Sequence, residues 1–118
     1  RLAYTPKATR DAEADIAAAY VHESLNEHRC VMTAPKGTPV TVTITTARPL
    51  PISRPRRIKS EPDTFKPDID NIAKLVLDGL SKAPAYEDDA QVTELRIEKC
   101  ARVRGVAEYS SVVVSWEE

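Results

Sequence analysis

The chain is short of most features that place a protein in a class at sight. No apolar run approaches the roughly 18 residues needed to span a bilayer, which excludes an integral membrane protein. Its two cysteines, Cys30 and Cys100, stand apart without CxxC spacing, and His22 and His28 have no ligand partner at zinc spacing. Two isolated thiols suit a reduced, cytoplasmic setting better than a stapled secreted domain, and no signal peptide is visible ahead of Arg1. Nothing supplies a Ser/His or Cys/His nucleophile, and no segment repeats. An excess of one charge is missing as well, since 17 Lys+Arg face 18 Asp+Glu for a net of −1. As a sum, that balance removes the simplest argument for a nucleic-acid partner.

What is present suits one domain over residues 1–118. A chain of 118 residues, 42% hydrophobic and 30% charged, has the composition of a folded globular protein. At this length it should bury about two-thirds of the surface its unfolded form exposes. Residues 9–26 read as a first helix, with Thr9 as N-cap, Asp11, Glu13 and Asp15 near its start, and Ile16, Ala19, Tyr20 and Val21 at helical spacing. Residues 40–46, VTVTITT, alternate Val40, Val42 and Ile44 with threonine, as a half-buried strand does. Residues 47–67 hold five prolines and no periodicity, and the expectation is an extended or mobile loop. A second helix is expected over 68–82, with Ile69, Ile72, Ala73, Val76 and Leu80 on one stripe. Strand-like runs follow at 91–98, where Val92, Leu95 and Ile97 alternate imperfectly, and at 109–116. The order α, β, loop, α, β, β indicates an α+β fold with a small sheet and two main helices.

Dividing the charge shows what the total conceals. Residues 48–66 carry six basic side chains (Arg48, Arg54, Arg56, Arg57, Lys59, Lys66) against two acidic, net +4. Residues 67–99 carry eight acidic against four basic, net −4. A solvated linker explains the arginines as readily as a phosphate-contacting loop does, although Arg is well suited to phosphate oxygens.

The acidic groups are better organised. Lys66-Pro67-Asp68-Ile69-Asp70-Asn71 leads into the second helix, and Asp88-Asp89 follows about twenty residues on. Such aspartates commonly serve as caps and turn formers. Inside a regular helix Asp68 and Asp70 would diverge, but at a non-helical cap they can meet. Asp70, Lys74 and Asp78 form a polar stripe at i, i+4, i+8, so Lys74 is set either to pair with a carboxylate or to face a ligand. Two carboxylates about 4 Å apart repel by about 4 kcal/mol at an effective dielectric near 20, so converging three requires a cation. Oxygen-only ligands select Mg²⁺ or Mn²⁺ over zinc. An EF-hand is excluded because the twelfth position from Asp68 is Gly79 rather than Glu.

The segments Lys66-Pro-Asp-Ile-Asp-Asn-Ile-Ala-Lys74, Leu75-Val-Leu-Asp-Gly-Leu80 and Ala85-Tyr-Glu-Asp-Asp-Ala-Gln-Val92 together resemble the RusA family of Holliday-junction resolvases. Tyr4-Thr-Pro-Lys-Ala-Thr-Arg10 is similar to the family's segment before its first helix. The resemblance implies a small mixed sheet with two helices in a homodimer. It implies Asp68, Asp70 and Asp89 as catalytic metal-binding carboxylates, with Asp88 beside them and Lys74 at the scissile phosphate. The implied activity is Mg²⁺-dependent hydrolysis of phosphodiesters in a DNA four-way junction, by paired nicks, with the basic loop on backbone phosphates. Members open with a strand and a basic stretch, and here that strand is expected to be missing. Two other readings stay open: a non-catalytic DNA-binding or packaging accessory of the same fold, and a metal-dependent nucleotide hydrolase.

Overall fold

The computed structural model describes residues 2–4 and 13–117. In chain order the elements are β1 (Leu2–Tyr4), α1 (Glu13–His28), β2 (Val40–Ala47), β3 (Ser60–Glu61), α2 (Ile69–Lys82), a 3-10 turn (Asp89–Gln91), β4 (Val92–Lys99), β5 (Arg102–Val103) and β6 (Tyr109–Ser115). This is the expected α+β architecture with two helices and a mixed sheet. The N-cap expected at Thr9, with Asp11 and Ala12, lies outside the described residues.

The main sheet has the order β1-β6-β2-β4. Strand β2 is antiparallel to β6 and parallel to β4. A parallel neighbour needs a long crossover, and the stretch containing α2 provides it. Alternation on β2 sends Val40, Val42 and Ile44 inward, where Val112 and Val114 of β6 meet them. Helices α1 and α2 cover that face. Ile16 and Tyr20 enter from α1, and Ile72, Val76 and Leu80 from α2. Each such buried side chain contributes about 1.5–3 kcal/mol relative to exposure, so the core alone is enough to orient both helices. Burial pushes the Tyr20 phenol up to about 12, opposed in part by a Ser24 hydrogen bond. Its hydroxyl donates to the Met32 carbonyl at 2.5 Å.

The imperfect alternation of β4 has a structural cause. The register with β2 shifts after Val40↔Val92, so that Thr41 faces Glu94 and Thr93 is the extra residue. One inserted residue restores the phase, because a strand's side chains alternate with period two. Val92, Leu95 and Ile97 therefore stand opposite Val40, Val42 and Ile44.

At the other edge of the sheet, Leu2–Tyr4 pairs with Val112–Val114. The β-branched run of β6 offers a ready antiparallel template for even three residues. One expectation changes: residues 47–67 are not a structureless loop. Pro49 bridges to Val103, and β3 pairs with β5 as a second, two-stranded sheet. Arg104 donates to the carbonyls of Arg54, Pro55 and Ile58. The order is supplied by residues some fifty positions away, which no local pattern reveals.

Candidate active site and nucleic-acid surface

Helix α2 begins at an unusual cap. Asp68 has extended φ and ψ (−72°, 156°), and its carbonyl starts the helix by accepting from Ile72 N at 3.0 Å. Its carboxylate caps nothing. It instead accepts from Lys66 Nζ at 2.9 Å in an exposed pair, an interaction worth about 0–1 kcal/mol and easily exchanged. Asp70 lies exposed in the first turn, and Lys74 lies exposed one turn further. Among the described residues Lys74 joins no ion pair, so the alternative bridge to Asp70 or Asp78 is not formed. Asn71 faces elsewhere, into a cavity of about 460 Å³ floored by Ile16, Ile44 and Val76.

The sheet fixes where this cap stands. Lys99, the last residue of β4, donates through Nζ to the carbonyls of Phe65 and Pro67, the latter at 2.9 Å. The chain entering α2 is thereby fastened to the C-terminal end of β4.

The second acidic block is built differently. Asp88 Oδ1 accepts from Ala90 N at 2.9 Å and caps the 3-10 turn. Gln91 closes a capping box: its Oε1 accepts from the Glu87 and Asp88 amides, both at 3.0 Å. Its Nε2 donates to the carbonyls of Pro35 and Thr38. Gln91 is 8% exposed, so these bonds replace water in full. Asp89 is left pointing outward and exposed while Asp88 is occupied by the cap. Sequence reasoning assigned nothing to Gln91. Its signal was the Asp88-x-x-Gln91 spacing of a capping box. Nearby, Tyr86 donates its hydroxyl to the Leu77 carbonyl at 2.9 Å. Burial raises its pKa, a Ser81 hydrogen bond opposes the rise, and the charges of Asp89 and Asp78 add to it.

The two blocks sit at opposite ends of α2. Asp68 and Asp70 lie where β4 ends at Lys99, and Asp89 lies where β4 begins at Val92. The 14 residues of α2 span about 20 Å at ~1.5 Å per residue. Among the described residues, no three His, Cys, Asp or Glu side chains converge closely enough to hold a metal ion. The donor chemistry suits a hard divalent cation, since every candidate ligand is a carboxylate. Within one protomer Asp68 and Asp70 share the start of α2, and Asp89 stands apart from them.

With Lys66 paired to Asp68, the other five basic residues divide into two groups. Arg48 grips Asp63 with two bonds, Nε to Oδ2 at 2.9 Å and Nη2 to Oδ1 at 2.6 Å. The Asp63 side chain is only 2% exposed. Burial works to raise its pKa, but the Arg48 hydrogen bonds, the Phe65 amide and the charges of Arg48 and Lys99 hold it below the usual carboxylate value. The bonds to Asp63 raise the Arg48 pKa in turn. Arg54 donates to Glu61 at 2.7 Å, and Arg102 stacks on the Phe65 ring at 4.2 Å. Arg48 and Arg54 thus hold the segment together, whereas Arg56, Arg57 and Lys59 project into solvent.

No helix of the described residues is long and apolar enough to cross a membrane. No curated protein matches the chain. A family model described as Endodeoxyribonuclease RusA matches residues 1–108, which takes in both acidic blocks, the lysine between them and the basic arm. With more than half of its length matched, the chain belongs to the RusA endodeoxyribonuclease family.

Proposed function

We propose that this endodeoxyribonuclease resolves Holliday junctions as a homodimer, by Mg²⁺-dependent nicks in two opposed strands. The observation that carries the reading is the start of α2, where two exposed carboxylates, one withheld from capping its own helix, stand one turn from an unpaired lysine. Asp68 and Asp70 would hold Mg²⁺ or Mn²⁺ together with Asp89. When bound, the metal activates water and stabilises charge on the leaving oxygen. A cation held by Asp68 would displace Lys66, which would then face a phosphate. Lys74 neutralises charge that develops on the scissile phosphate. Arg56, Arg57 and Lys59 bind backbone phosphates, which positions the DNA without reading sequence.

The separation along α2 supports the homodimer. Asp89 cannot join Asp68 and Asp70 on one ion within a chain, so a second copy supplies it. The two-fold symmetry of such a dimer makes two equivalent sites, suited to a substrate with two opposed strands to cut. Asp70→Asn should abolish Mg²⁺-dependent nicking of a synthetic four-way junction while leaving junction binding measurable. Full cleavage by that variant would overturn the assignment. Retained binding with no nicking by the unsubstituted protein would favour a DNA-binding accessory instead.

A further inference from the structure

One apolar side chain is presented where the DNA-contacting surface is expected, and nothing in the cleavage chemistry uses it. Ile52 is 96% exposed. It sits in a turn closed by Arg54 N donating to the Pro51 carbonyl at 3.1 Å, followed by a second turn from Ile58 N to Pro55 O at 3.0 Å. A solitary exposed isoleucine on a slack loop means little, because apolar atoms are common on protein surfaces. This turn is not slack. Leu50, immediately before it, is buried and donates its amide to Val103. Pro51 and Pro55 fix φ on either side. The Arg104 guanidinium donates to the carbonyls of Arg54 (3.2 Å), Pro55 (2.8 Å) and Ile58 (3.1 and 3.0 Å), tying the second turn to the β5 side.

The surroundings decide what such a side chain is for. Arg56, Arg57 and Lys59 are exposed within seven residues of it, and Arg54 lies beside it. A protein partner needs an apolar patch of hundreds of square ångströms, and one isoleucine among cations does not make one. A polyanion suits the cations. Proteins that distort DNA insert apolar wedges, isoleucine among them, between base steps next to phosphate-binding arginines. Unstacking costs least where base pairing is already interrupted, as at the branch point of a junction.

We propose that Ile52 is a wedge that enters the base stack at the branch point of the bound DNA. Arg56 and Arg57 draw the arm onto the backbone, and Arg104 is a positioning residue that keeps the turn from folding back. The proposal deepens the junction-resolving reading and rests on it. It gives the protein a way to hold a junction open while the carboxylates act elsewhere.

The test uses the whole chain and a four-way junction carrying 2-aminopurine at the branch point, at saturating protein and without divalent metal, so that no strand is cut. The unsubstituted protein should raise the fluorescence at least about twofold, as an unstacked base requires. Ile52→Ser keeps every cation and, at a 96% exposed site, cannot unsettle the core; it should leave the fluorescence near that of free junction. Ile52→Met should restore the rise. Arg104→Ala should lower it while Ile52 is intact. An equal rise with Ile52→Ser, or no rise with the unsubstituted protein, overturns the wedge. A separate Mg²⁺ nicking assay tells the two ideas apart. Nicking without a rise sinks the wedge alone, and a rise without nicking sinks the nuclease reading while the wedge stands.

Discussion

Mixing two inactive variants should restore cleavage. Two carboxylates on one Mg²⁺ each bond it at about 2.0–2.1 Å, so their carboxyl groups lie within a few ångströms of each other. Asp70 and Asp89 are instead separated by the length of α2, about 20 Å at ~1.5 Å per residue. The β2–β4 register gives a consistent figure, because the seven steps from Val92 to Lys99 cover about 23 Å at ~3.3 Å each. No rotamer closes that gap. If Asp89 serves the site of its partner, Asp70→Asn and Asp89→Asn should each be inactive alone. In a dimer of one with the other, one site carries both substitutions and the second carries neither. Random exchange at equal amounts makes half the dimers mixed, so about a quarter of the normal number of sites should be intact in a two-fold assembly. Differently tagged variants, co-expressed and purified through both tags, remove the parental dimers and raise that share to about half. A labelled four-way junction should then be nicked in one strand only, without paired resolution. Verified mixed dimers that cut nothing would refute the shared site, and with it the main support for the homodimer.

Three other outcomes follow from contacts away from the carboxylates. Gln91→Ala removes the side-chain partner of the Thr38 carbonyl and of the Glu87 and Asp88 amides, at about 1–3 kcal/mol for each such group that water cannot reach, while the Pro35 carbonyl keeps the Thr38 amide. A drop in Tm of several degrees, read by circular dichroism, is the expected result. Asp63 has its folded pKa depressed, so its contribution is complete above the unfolded value near pH 4 and is lost as pH falls through the lower folded value. Asp63→Asn should therefore cost about 1.5–3 kcal/mol at pH 7 and flatten the loss of stability below about pH 4, measured by urea midpoints. Replacing Arg56, Arg57 and Lys59 together with alanine should lower the slope of log affinity against log salt by about 2–3, whereas Arg48→Ala should act chiefly on stability.

Much of the fold was legible because its signals are local. Val40, Val42 and Ile44 declared β2 by period two, and Ile72, Val76 and Leu80 declared α2 by helical spacing. The acidic blocks were legible as types and spacings. What was not legible depended on distant partners. The arm looked structureless because its order comes from Val103 and Arg104. Two of its six cations were invisible as structural residues until Asp63 and Glu61 were seen against them. Leu2–Tyr4 shows no pattern in three residues and becomes a strand only beside β6. The aspartates were expected to share a site because the family resemblance implies it, and repulsion adds only that such a site needs a cation. Spacing along the chain says nothing of the direction in which α2 carries them apart.

The uncapped start of α2 has a thermodynamic consequence. An aspartate at that position ordinarily stabilises a helix by about 1 kcal/mol through a bond to an amide of the first turn. Asp68 makes no such bond, so the fold forgoes that stability and leaves a carboxylate held only by the exposed Lys66 pair, open to something from outside. If Asp68 holds the metal as proposed, heat resistance and cleavage pull in opposite directions at one residue. A library screened for melting temperature alone should be rewarded there by side chains that turn back onto the helix, and the most robust proteins it yields should be ones that no longer cut.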